Sequence, residues 1–233
     1  MDTLDLTTRV LRNPDEVADS DDPRVLARLA APLLGLACGG AALLGVAAGS
    51  TSGALQAFFA AIKTPVLFLV PALVVLPLVY TAAEAAGTKV RFSRLAIVTL
   101  AGLARTGLLA AAAAPLLWLP FSLGADYHLS VLLFVGTFGI VMAPALATLV
   151  RALPTGGSLR LPAMLGTLVL LGLVTAQTGW LLRPFVARPQ AAVTFLRPVE
   201  ADVFSSIGAT ARSATGDYTG DWKPEGSGMW SER

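Results

Sequence analysis

Five apolar runs, each about twenty residues long, alternate with short polar stretches along the chain. They cover residues 27–49, 63–84, 95–119, 129–150 and 161–182. A helix rises ~1.5 Å per residue, so about twenty residues cross ~30 Å of hydrocarbon. The pattern predicts an all-α fold, a polytopic transmembrane helix bundle of about five spans over residues 27–182. A short acidic N-terminal arm, residues 1–26, precedes the bundle. An extramembrane segment, residues 183–233, follows it and reads as disordered from about residue 210, where Ser, Gly, Asp and Thr dominate.

The second run carries the most punctuation. It opens on Lys63, ends on Glu84, and holds prolines at 65, 71 and 77. Thr64-Pro65 reads as a helix start, because proline at the first helical position gives up no needed donor. Residues 54–62, too short to span, then read as an interfacial piece that delivers Lys63. Pro71 and Pro77 each remove an intrahelical hydrogen bond and favour kinks. Such kinks either shape a packed helix or mark a broken helix at a transport site. Pro144 is a kink candidate in the fourth run.

Small residues recur at four-residue spacing in the first run, at Gly35 and Gly39 and again at Gly45 and Gly49. That spacing lets a second helix backbone approach closely. In the third run, Gly102, Thr106 and Gly107 leave space around Arg105. The N-terminal arm reads as a solvated segment, with a short amphipathic docking helix around Leu4, Leu6, Val10 and Leu11 as the alternative.

Composition agrees with a membrane protein. Hydrophobic residues make up 55% and charged residues 14%, against about a quarter charged in soluble domains; mean hydropathy is +0.71. A formal charge of +2 is too small to imply nucleic acid as a partner. The lone cysteine, Cys38, excludes an intrachain disulfide. The first residues lack the basic region of a cleaved signal peptide, so the first span is expected to serve as an uncleaved signal. Lys89, Arg91, Arg94, Arg151 and Arg160 fall in the loops on the N-terminal side, while residues 121–128 carry no basic group. Positive charge gathers on the cytoplasmic side, so the expected topology has the N-terminus cytoplasmic and the C-terminus exported.

No catalytic, cofactor-binding or metal-binding constellation appears. His128 is the only histidine and has Asp126 alone nearby. Neither a nucleophile elbow nor a phosphate-cradling loop is present. The charges inside the spans are therefore the candidates. Arg105 lies about ten residues into its run, roughly 15 Å deep, and needs compensation. Glu84 is the carboxylate expected to pair with it, as a structural or a transport ion pair. Lys63 and Arg183 are expected at the opposite interface, contacting lipid headgroups or anchoring helix ends.

Lys63-Thr-Pro-Val-Leu-Phe-Leu with Pro77-Leu-Val-Tyr80, and Trp180-Leu-Leu-Arg183-Pro-Phe, resemble motifs of a poorly characterised family of bacterial multi-span inner-membrane proteins, Yip1-like in outline. The resemblance covers about residues 50–200. It implies importance for Lys63, Pro65, Arg183 and Pro184 in that fold, and no enzymatic activity.

The expected function is that of a non-enzymatic integral membrane protein of the cell inner membrane, an accessory or scaffold subunit with membrane-protein partners or copies of itself. The alternative is a small transporter or channel using Arg105 and Glu84.

Overall fold

The computed structural model describes residues 3–13, 23–85, 91–125, 127–152, 160–186 and 194–196. One compact unit ends at Pro198; the second, Val199–Arg233, lies outside the described residues, and so does the expected disordered tail. The same holds for residues 86–90 and 153–159 of the basic loops, for Asp126, and for the side chain of His128.

The described elements are all helical. In chain order they are α1 (Thr3–Arg12), α2 (Pro23–Gly49), a single 3-10 turn (Ser50–Ser52), α3 (Ala54–Ala85), α4 (Phe92–Ser122), α5 (Tyr127–Val141), α6 (Ala143–Ala152) and α7 (Arg160–Leu182). Five segments are long and apolar enough to cross a membrane: α2, α3, α4, α5 with α6, and α7. The chain is an all-α bundle of multi-pass membrane type.

α2 and α4 lie side by side and run in the same direction. Leu29 and Leu33 of α2 pack against Ile97, Val98, Ala101 and Ala104 of α4. Farther along, Gly40 abuts the backbone of Gly107 so closely that a Cβ on either would strike main chain. α3 returns antiparallel to both after a tight reversal at Gly53, whose φ of 102° suits glycine. There Gly45 lies against Ala60 and Thr64, and Gly49 against Gln56 and Ala57. The Gly45/Gly49 pair is thus a packing face, as the spacing implies. Gly35 and Gly39 pack against no described part of this chain: a Cβ on either meets nothing within 4 Å. Gly102 and Thr106 face α6, and Gly107 faces α2, so these residues serve helix contacts in place of making room for Arg105.

Two sequence expectations need correction, the start of the second span and the solvated arm, while the kink candidate at Pro144 does mark a break. Helix α3 begins at Ala54, ten residues before Thr64, and passes through Pro65, Pro71 and Pro77 without a break. At 32 residues it is ~48 Å long, more than the hydrocarbon core needs. The fourth span does break, at Met142, two residues before Pro144. The break frees the Ala145 N–H, which donates to Thr106 Oγ1 at 3.2 Å. The N-terminal arm is not wholly a solvated segment: α1 packs against α2 and α4, with Leu11 joining the Leu29–Val98 cluster.

α7 stands at the edge and packs along α3. Near its start, Met164, Leu170 and Leu171 join Val75, Val79, Leu95 and Leu149. At its other end, polar contacts join the apolar packing of Leu182, Phe185 and Val186.

Candidate functional site

Gln56 and Lys63 are seven residues apart on α3, two turns, so they share a face. Both are wholly buried. They face the chain that follows α7, residues 183–186, which is no longer helical. Gln56 Nε2 donates to the carbonyls of Pro184 (2.9 Å) and Phe185 (3.0 Å). Lys63 Nζ donates to Pro184 O at 3.1 Å and lies 4.9 Å from the centre of the Phe195 ring. Phe195 in turn sits edge-on to Phe59 at 5.1 Å. The Pro184 carbonyl therefore accepts twice, one bond for each lone pair. Among the described residues, Gln56 Oε1 is buried without a partner.

Lys63 is accordingly no lipid-facing lysine. An ammonium buried this fully touches no lipid headgroup; a carbonyl and an aromatic face replace its water. Arg183 does keep partial exposure, and its guanidinium stacks 3.6 Å above the Trp180 ring.

Arg105 and Glu84 do not meet. Arg105 Nε donates to Leu11 O at 2.6 Å, and Nη2 donates to Arg12 O at 2.8 Å. These are last-turn carbonyls of α1, which lack intrahelical donors and sit at the negative end of the helix dipole. Glu84, next to last in α3, is exposed. The expected ion pair fails because Arg105 has a nearer set of acceptors, supplied by a helix from the arm. On α1 itself Arg9 and Asp5 make an exposed pair at 3.4 Å.

Beside the Gln56–Lys63 cluster lies a cavity of about 500 Å³. Its walls are Leu67 of α3, Phe134 and Phe138 of α5, Gly179 and Trp180 of α7, and the segment Arg183–Val186. Phe134 stacks on Phe185 at 5.1 Å, and Phe138 meets Phe68 edge-on at 5.5 Å. Gln56 and Lys63 thus fix the backbone of one wall without lining the space.

Sequence reasoning singled out Lys63 but missed Gln56. The signal was available: a second polar side chain two turns earlier on the same face of an apolar helix. The acceptors on Pro184, Phe185, Leu11 and Arg12 carry no side-chain signal at all. Among the described residues, no three His, Cys, Asp or Glu side chains come together as a metal site would need. Compared with protein-family models, curated proteins and solved structures, the chain matches none.

Proposed function

We propose that this chain is a non-enzymatic subunit of a membrane assembly, docking a partner helix on the outward face of α2 at Gly35 and Gly39. One observation carries this reading. Of the glycines in α2, three press against the chain's own backbone, whereas Gly35 and Gly39 are exposed with open space beyond them. Glycine costs a helix interior about 1 kcal/mol relative to alanine. At Gly40, Gly45 and Gly49 close packing offsets that cost; at Gly35 and Gly39 nothing among the described residues does. Small residues at this spacing drive helix association in bilayers.

The same reading places the protein in the cell inner membrane with its N-terminus cytoplasmic, supported by Arg91, Arg94 and Arg151 at one end of the bundle. The transport alternative named Arg105 and Glu84 as a unit, and these residues are apart.

The test is the mass of the detergent-extracted particle. A particle heavier than one 24.0-kDa chain is expected. Gly35→Leu with Gly39→Leu should reduce it to one chain, because the leucines enter open space without disturbing the fold. A single-chain mass for the unmodified protein, or an unchanged assembly in the variant, would refute the proposal.

A further inference from the structure

We propose that the cavity between α5 and α7 binds one acyl chain of an anionic lipid, with the lipid phosphate held by Arg183.

The packing leaves the space open. α7 packs along α3 and α5 along α4, so the gap between α5 and α7 is bounded by helices that lean on different neighbours. At about 500 Å³ it falls within the range of ligand pockets, ~300–1,000 Å³. Leu67, Phe134, Phe138 and Phe185 make it largely apolar, and among the described residues no carboxylate lines it. In a bilayer such a space fills with hydrocarbon, since water there would lack partners.

The charge stands at one end. α7 finishes at Leu182, and Trp180 and Arg183 sit at this margin, where indoles and cations mark the level of the headgroups. One face of the Arg183 guanidinium covers Trp180. Among the described residues its N–H edges meet no acceptor. A planar fork held flat and left undonated suits a phosphate, which accepts from it bidentately. A cation at the mouth with hydrocarbon below it complements an amphiphile. The wall is also fixed in advance. Gln56 and Lys63 hold the Pro184 and Phe185 carbonyls, so little ordering remains to be done on binding.

The experiment is native mass spectrometry of the full-length protein titrated with phosphatidylglycerol and with phosphatidylcholine. One phosphatidylglycerol should bind about tenfold more tightly than phosphatidylcholine, because the choline cation of the latter offsets the phosphate charge that Arg183 meets. Arg183→Ala should abolish the preference, and the variant should fold, since this side chain makes no hydrogen bond within the described protein. Ala176→Trp, on the cavity wall, should block the lipid while leaving Arg183 in place. Excess inorganic phosphate should not displace the lipid. Preference retained in Arg183→Ala, or binding retained in Ala176→Trp, overturns the proposal. Displacement by inorganic phosphate would make this a site for the free anion and overturn it as well.

Discussion

Replacing Lys63 and Gln56 singly and together probes the buried cluster most directly, because the two side chains share one acceptor. Lys63→Met keeps the length of the side chain and removes its charge. The change gives up one charge-assisted hydrogen bond, about 1.5–3 kcal/mol, and a desolvated cation–π contact, about 2 kcal/mol. It also lifts the cost of burying an ammonium, several kcal/mol. The Pro184 carbonyl is not stranded, because Gln56 still donates to it. Lys63→Met should therefore be neutral or stabilising. Gln56→Leu leaves Pro184 O with Lys63 but orphans Phe185 O, a loss of about 1–3 kcal/mol, lessened by removal of the unpaired Oε1. Only the double variant strands Pro184 O. Its loss should exceed the sum of the single effects by about 1–3 kcal/mol, the cost of one buried unsatisfied carbonyl. Equilibrium unfolding in mixed micelles for the four proteins measures this coupling. Additivity within about 0.5 kcal/mol would mean that the shared acceptor is energetically irrelevant, and the clamp would have to be abandoned.

Thr106→Val should destabilise by about 1–3 kcal/mol in the same assay, since the buried hydroxyl receives the Ala145 N–H at the helix break; Thr106→Ser, which keeps the oxygen, should restore most of it. Arg105→Ala should undock α1, because ten residues are too few to stay helical alone, and hydrogen exchange over residues 3–13 should accelerate about tenfold or more. Glu84→Ala should leave that exchange unchanged and add nothing to the Arg105 variant; a coupled effect would restore the ion-pair reading. A reporter fused after residue 233 should be active only when exported, and cytoplasmic activity would overturn the orientation.

The spans were legible because a bilayer demands about twenty apolar residues and little else, a constraint written in composition. Their ends were less so. Thr64-Pro65 looks like a helix start, yet a proline inside a long apolar helix loses one hydrogen bond and the helix continues from Ala54. Pro144 was readable as a kink, but its compensation by Thr106, thirty-nine residues away, was not. Spacing found all four glycines of the two motifs in α2 without separating the pair that packs inside from the pair that faces out. That distinction depends on how α2 is rotated in the bundle, and both of its faces carry small residues.

The charged sites show why a search for carboxylates misdirects in this chain. A cation within a span needs negative potential nearby, and a carboxylate provides it only at the expense of burying a second ion. Backbone carbonyls outside a regular ladder, such as those of a helix's last turn, provide it without that expense, since they are acceptors without an intrahelical donor. Arg105 takes the last carbonyls of α1, and Lys63 takes the Pro184 carbonyl just past the end of α7. At Arg105 two deficits cancel, because the cation gains acceptors and the end of α1 gains a donor; at Lys63 the acceptor is a non-helical carbonyl that Gln56 also serves. Each cation thereby helps attach an edge of the bundle, α1 in one case and the chain after α7 in the other. By this logic Arg105 and Lys63 set how firmly the edges of the bundle hold to its α2–α4 centre, and the carbonyls they occupy determine where those edges sit.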